Sequence, residues 1–169
     1  MAGNRMGVTF DGKAATASLR GLLAGIENPA PLLAQLGEYT LRTTRARFKS
    51  QTAPDGTAWA ALQPWYKKEK SQNKNRVLTL RGYLRGQLVS QVVGGKSVEV
   101  GSNLIYAAVH QFGSARPQNL ERLQRRHKKE FIARETTIPA RPYLGLSDAD
   151  RNELVERTLD WLRTSGGLK

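Results

Sequence analysis

The feature that most limits what this chain can become is a long helical segment from Pro29 to about Lys49. Asn28 stands where a capping side chain is wanted, and Pro29 suits the first turn because its φ is already near the helical value. Leu32, Leu33, Leu36 and Tyr39 recur at helical spacing and form one apolar face, which some other layer must cover. Arg42, Arg45 and Lys49 fall on a different stripe. A solvated face is the simpler account of that stripe, since basic runs on helices are usually exposed, and it is favoured over a nucleic-acid contact.

The rest of the chain is read against this helix. Val8-Thr9-Phe10-Asp11-Gly12 has the character of a short strand ending in a turn, and Ala14 to Gly25 that of a helix weakened by Gly21 and Gly25. Between Thr52 and Asn75 the periodicity fails: Pro54-Asp55-Gly56 marks a turn, and Trp59 and Trp65 stand among small and polar residues. Tryptophans in such a loop could stack on bases, but pinning the loop to the domain is the favoured role. Leu78 to Gly86 suggests a short helix. Gln87–Val93 and Ser97–Val100, joined through Gly94-Gly95, make the clearest hairpin, because paired glycines supply the positive φ that tight turns need. Val98 and Val100 flank Glu99, so one face of that strand is buried and one is wet.

Asn103 to Phe112 predicts another helix stopped by Gly113, with Tyr106, His110 and Phe112 on neighbouring turns able to dock against the sheet. From Ser114 to Thr137 runs a basic arm carrying Arg116, Arg122, Arg125, Arg126, Lys128, Lys129 and Arg134 against Glu121, Glu130 and Glu135. If helical, it places Leu120, Leu123, His127 and Phe131 on one side and basic residues on the other, a shape suited to lying on a neighbour. Ile138-Pro139-Ala140-Arg141-Pro142-Tyr143 is extended because its prolines enforce it. Ser147 caps a last helix whose apolar side uses Leu154, Val155, Leu159 and Leu162, and residues 165–169 form a loose tail. The expected fold is α+β: a small, mostly antiparallel sheet packed against the long helix and the C-terminal helix, in one domain spanning 1–169 with 114–137 as an inserted basic arm.

Charge bears on partners. Lys and Arg number 27 against 14 Asp and Glu, a net +13, which points to polyanionic surroundings, nucleic acid or acidic protein surfaces or both, with basicity serving only solubility as the plainer alternative. With no cysteine, disulfides and thiolate metal sites are excluded. No apolar run approaches the ~20 residues needed to cross a bilayer, and Met1-Ala2-Gly3-Asn4-Arg5-Met6 lacks a secretory hydrophobic block, so synthesis in the cytoplasm without membrane association is expected.

Catalytic constellations do not emerge. Two histidines, His110 and His127, have no suggested ligand partners, and His110 reads as a structural residue hydrogen-bonded to backbone. Asp148, Asp150 and Glu153 are better explained as an acidic helix start than as a metal cluster. Gly94-Gly95-Lys96-Ser97 lacks the upstream glycine of a phosphate loop and precedes a strand, and no serine sits in a hydrolase elbow. The expectation is a protein that is not an enzyme and takes no cofactor or metal.

Four elements in order are more specific. Asp55-Gly56-Thr57-Ala58-Trp59 has the form D-G-x-x-W; Leu80-Arg81-Gly82-Tyr83-Leu84-Arg85 contains L-x-G-x-L-R; Tyr106 to Gly113 reads Y-A-x-x-H-Q-F-G; and Ile138-Pro139-Ala140-Arg141-Pro142-Tyr143-Leu144-Gly145-Leu146-Ser147 follows. The set, from about Leu32 to Leu162, resembles the phage virion morphogenesis family. One departure is Arg81 before Gly82, where such proteins tend to carry a small polar residue. The resemblance implies a small α+β subunit that helps assemble the head–tail junction, without catalysis. Asp55, Gly56, Trp59, Gly82, Tyr106, His110, Phe112, Gly113, Pro139, Arg141 and Pro142 then hold scaffold roles, while no family role carries over to the basic arm.

The function expected on this reading is structural. The chain would form a ring of its own copies, sixfold, in the virion neck, as a head-completion stopper or a tail terminator. Its partners would be portal or adaptor and tail-tube proteins, with packaged double-stranded DNA in the channel, and the arm would face one of these or a neighbouring copy, the alternative being a solvated insertion without a partner. The alternatives are a morphogenesis factor absent from the finished virion and a basic nucleic-acid-binding module. A toxin or nuclease has only basicity and small size in its favour.

Overall fold

A computed structural model describes residues 12–114 and 137–165. The strand expected at Val8–Gly12, Gly12 apart, and the residues of the basic arm between Ser114 and Thr137 lie outside the described residues, as does the tail after Ser165.

Helix α1 spans Lys13–Glu27 and α2 spans Ala30–Ser50. The expected long helix is present, with Pro29 at its N-terminal boundary and Gln51 closing it in the left-handed conformation at φ 61°. Asn28 does not cap it; its backbone N–H instead closes α1 on Ala24 and Gly25. A loop holding a one-residue bridge between Thr52 and Ala58 leads to α3, Pro64–Glu69, and then to the single turn α4, Tyr83–Gly86. The hairpin follows as β1, Leu88–Val93, and β2, Ser97–Ser102, then α5, Ala107–Phe112, and the C-terminal α6, Asp148–Ser165.

The sheet among the described residues has two antiparallel strands, with Val92 opposite Val98 and Ser90 opposite Val100. Gly94 and Gly95 take φ 58° and 68° at its turn, as the glycine pair requires. One side of α2 lies on this hairpin, while α6 packs on α1 and α2. Gly37 makes the helix–sheet contact possible: a Cβ there would stand 2.2 Å from Ser90 Oγ and 2.6 Å from Val98 Cγ2. The architecture is α+β, a small antiparallel sheet against the long helix with a C-terminal helix beside it.

The core gathers Leu41 and Phe48 of α2 with Ala53, Trp59, Val77, Leu84, Leu88, Ala107 and Tyr143. Phe48 is its hub, with ring centroids 5.4 Å from Trp59 and 5.5 Å from Tyr143 in tilted and edge-on arrangements that aromatic quadrupoles favour.

Several local expectations need correction. The Thr52–Asn75 region is not wholly irregular, since Pro64 starts a short helix from its first turn. The Leu78–Gly86 helix shrinks to one turn because Leu78 and Gly82 have φ 52° and 81°, which no helix accommodates. The Asn103–Phe112 helix starts only at Ala107. On α6, Val155 and Leu159 point outward, 57% and 41% exposed, while Leu154, Trp161 and Leu162 are the half-buried apolar residues.

Candidate functional site

The motif residues converge on a strap, residues 138–147, that crosses from α5 to α6. Trp59 is buried and donates from Nε1 to the Pro142 carbonyl at 2.7 Å, so it pins the loop to the domain. Arg141, also buried, donates from Nε to Ala60 O at 2.8 Å and from Nη2 to Ala61 O at 3.0 Å, which holds the same loop from the other side. Its backbone N–H reaches the His110 carbonyl at 2.8 Å. Gln111, inside the Y-A-x-x-H-Q-F-G element, caps the strap with its side chain: Oε1 accepts from the N–H groups of Tyr143 and Leu144, both at 3.0 Å, and Nε2 donates to Leu144 O.

Gly113 shows why that element ends in glycine. It has φ 79°, and a Cβ would stand 2.8 Å from Ala140 N and 2.9 Å from Ile138 O, so both conformation and space demand its absence. Beyond it Ser114 and Ile138 form a two-way backbone bridge, which closes the base of the intervening stretch.

The other end of the strap is fixed by an ion pair that sequence reasoning missed. Arg47, buried on α2, donates from Nη1 to the carbonyls of Tyr143 and Gly145 at 3.1 and 2.7 Å, and from Nη2 to Asp150 Oδ2 at 2.5 Å. Asp150 also accepts from Ser147 N–H and Oγ, while Ser147 Oγ accepts from the Asp150 N–H at 3.0 Å. This reciprocal box is the expected Ser147 cap, with the aspartate at its third helical position. Burial pushes the Asp150 carboxyl up, but the Ser147 hydrogen bonds, the Arg47 charge and the Tyr39 hydroxyl outweigh it and hold it below the usual carboxylate value.

Other motif side chains make no hydrogen bond to the strap among the described residues. Asp55 and Gly56 form an exposed turn in which Asp55 Oδ1 accepts from Thr57 N–H and Oγ1 at 2.9 and 2.7 Å. Phe112 does not dock against the sheet: it is 78% exposed, and the small Ala107 is the residue of α5 that reaches the core. Tyr106 and His110, four residues apart, fall near one face, whereas Phe112 lies about 200° around the helix from His110. His110 is not tied to backbone through its ring: buried Nδ1 has no hydrogen-bond partner, and the ring meets Tyr106 edge-on at 5.8 Å. Burial, aided by the nearby Arg141 charge, lowers its pKa and keeps it neutral near pH 7. Trp65 is 42% exposed and pins nothing into the core, unlike Trp59.

What Trp65 does is line an open, mainly apolar pocket of about 620 Å³. The motif residues Gly82, Tyr106, His110, Pro139 and Arg141 border it, with Tyr66, Leu80 and Tyr83 beside them. Lys70 shapes its floor. Its Nζ donates to the carbonyls of Asn73, Arg76 and Thr79 at 2.9, 2.6 and 2.7 Å, tying the loop between α3 and α4 into a knot. Among the described residues, no group of three His, Asp or Glu side chains is placed to hold a metal ion, and no helix is long and apolar enough to cross a membrane. Arg116, Arg122, Arg125, Arg126, Lys128, Lys129 and Arg134 fall outside the described residues.

The interior therefore spends its polar chemistry on holding backbone in place, and the pocket and several large apolar side chains remain on the outside. Ile105 is 96% exposed, and Leu19, Leu23 and Ile26 of α1 are 65%, 56% and 63% exposed. Comparison with known proteins agrees with the motif reading. No solved structure matches the chain. It is 28% identical over 120 residues to a protein of Escherichia phage Mu named "Putative capsid assembly protein G", covering 69% of this chain and 68% of that one. Residues 10–163 match the phage virion morphogenesis family, nearly the full length. The chain belongs to the phage virion morphogenesis family, and its work is the assembly of phage particles.

Proposed function

We propose that the chain is a structural, non-catalytic neck subunit, which forms a ring at the head–tail junction as a stopper or a tail terminator. The observation that carries this reading is the family match over residues 10–163 on a fold whose buried ionic and polar groups serve as ties. Function is then left to outer surfaces, and exposed apolar side chains such as Ile105 and Phe112 are what a subunit interface covers. A ring satisfies a head-to-tail interface by closing it. The partners on this reading are further copies, portal or adaptor and tail-tube proteins, and packaged DNA, with the arm from Ser114 to Thr137 facing DNA or a protein neighbour.

Two experiments test it. Deleting the gene from the phage should leave heads and tails that do not join, or heads that lose DNA; normal particles would refute the role. Replacing Arg122, Arg125, Arg126 and Lys129 together with Gln separates the arm's two uses. Lost rings indicate a protein contact, leaking heads with intact rings indicate the channel, and normal infectivity removes the arm from the account. The name of the Mu relative favours a second reading, a head-assembly factor that is absent from finished virions; detection of the chain in purified virions would exclude it.

A further inference from the structure

The pocket described above and the outer face of α1 are both apolar surfaces left exposed. On α1, Ser18, Gly21, Leu22 and Gly25 are half-buried, and Gly25 lies against Trp161 of α6. The neighbouring face, about 100° around the helix, carries Leu19, Leu23 and Ile26 at the i, i+4, i+7 spacing with which a helix enters a groove, and nothing on α1 is fully buried. A 15-residue helix exposing three of its four large apolar side chains and fully burying none is poorly stabilised by its own subunit alone.

The pocket offers apolar chemistry of the same kind. Trp65, Tyr66, Leu80, Tyr83 and Tyr106 present apolar and aromatic surface, each at least 37% exposed. Its volume of about 620 Å³ falls inside the ~300–1,000 Å³ of ordinary binding pockets. Charge matches as well. Arg81 lines the pocket, and Lys67 and Lys68 follow its lining residues Trp65 and Tyr66 on α3; all three are exposed and enter no ion pair among the described residues. Glu27 ends α1, and Glu156 stands on α6 beside the exposed Val155; both acids are exposed and likewise unpaired among the described residues. The two surfaces share no residue, as a head-to-tail contact requires.

We propose that the pocket of one copy receives the Leu19–Leu23–Ile26 ridge of α1 from a second copy of this chain, with Lys67, Lys68 and Arg81 facing Glu27 and Glu156 around the apolar centre. The contact rests on the ring reading, and repeats from copy to copy until the ring closes. A flat ion-pair rim would steer the encounter while the apolar centre holds it.

The test uses paired variants at exposed positions of the full chain. Leu23→Glu spoils the ridge and Tyr83→Glu spoils the pocket, and each should be monomeric where the wild type is a ring. An equimolar mixture should form a dimer and nothing larger, because only one ridge–pocket contact survives per pair. Rings formed by either variant alone would overturn this contact and leave the ring reading standing. Monomeric variants that fail to pair on mixing would overturn it too, and a monomeric wild type would overturn both readings. Because the chain has no cysteine, Leu23→Cys combined with Tyr83→Cys gives a second readout. Oxidation should yield a ladder of covalent oligomers up to the ring. Protein that remains monomeric on oxidation, as it would if the chain's own residues 115–136 filled the pocket, overturns the proposal.

Discussion

Phe48 and Leu23 are both large apolar residues on helices, and they meet opposite fates. Phe48 is 1% exposed, wedged between Trp59 and Tyr143, on a helix whose next buried residue, Arg47, binds three points of the strap and α6. Leu23 is 56% exposed on α1, which has no fully buried residue. The difference lies less in composition than in long-range ties. The C-terminal half of α2 is locked by contacts that span the chain, whereas α1 rests on α6 where Gly25 meets Trp161 and Ser165. The first region is built for stability of the subunit, and the second leaves its apolar surface for another molecule.

The largest effect should come from breaking the locked region. Arg47→Met removes one partner of a buried pair and strands the Asp150 carboxylate, so denaturant unfolding should show a loss of ~3–5 kcal/mol. Trp59→Ala should cost a similar ~3–5 kcal/mol, since a core ring and its bond to Pro142 are lost together. Trp65→Ala, at the pocket rim, should melt close to wild type, and equal losses for the two tryptophans would erase the distinction between core and surface.

Much of this organisation is written in local signals. The glycine pair of the hairpin, the period of Leu32, Leu36 and their neighbours, and the Ser147 cap each act within a few residues, so sequence reading finds them. Arg47 escapes because it sits among Arg42 and Arg45 in what looks like a solvated basic stretch, and its partner lies 103 positions away. Gln111 sits inside a recognisable element, but nothing local indicates that its amide will cap a strap more than thirty positions on. The pocket is likewise invisible beforehand, because loop, α4, α5 and strap each supply part of its wall.

Smaller effects sharpen the contrast. Gly37→Val should cost ~1–3 kcal/mol by forcing α2 away from Ser90 and Val98, read as a lower melting temperature. Acid should weaken the subunit in two steps. His110 and Asp150 both have folded pKa values below their ordinary ones, so the unfolded chain binds protons more readily and stability falls with pH. Loss should begin below pH 6.5 through His110 and deepen below 3.8 through Asp150, and His110→Gln should abolish the first phase. Smallest of all, Leu23→Gln should shift subunit stability by no more than ~0.5 kcal/mol, because the side chain is already in water. A loss several times larger would mean that α1 is more tightly packed than its exposure indicates.

The most direct measurement of the central claim is to image purified virions carrying a labelled copy of this chain. The account predicts label as one discrete ring at the joint between head and tail. Label absent from finished particles, or distributed over the head or along the tail, would contradict it.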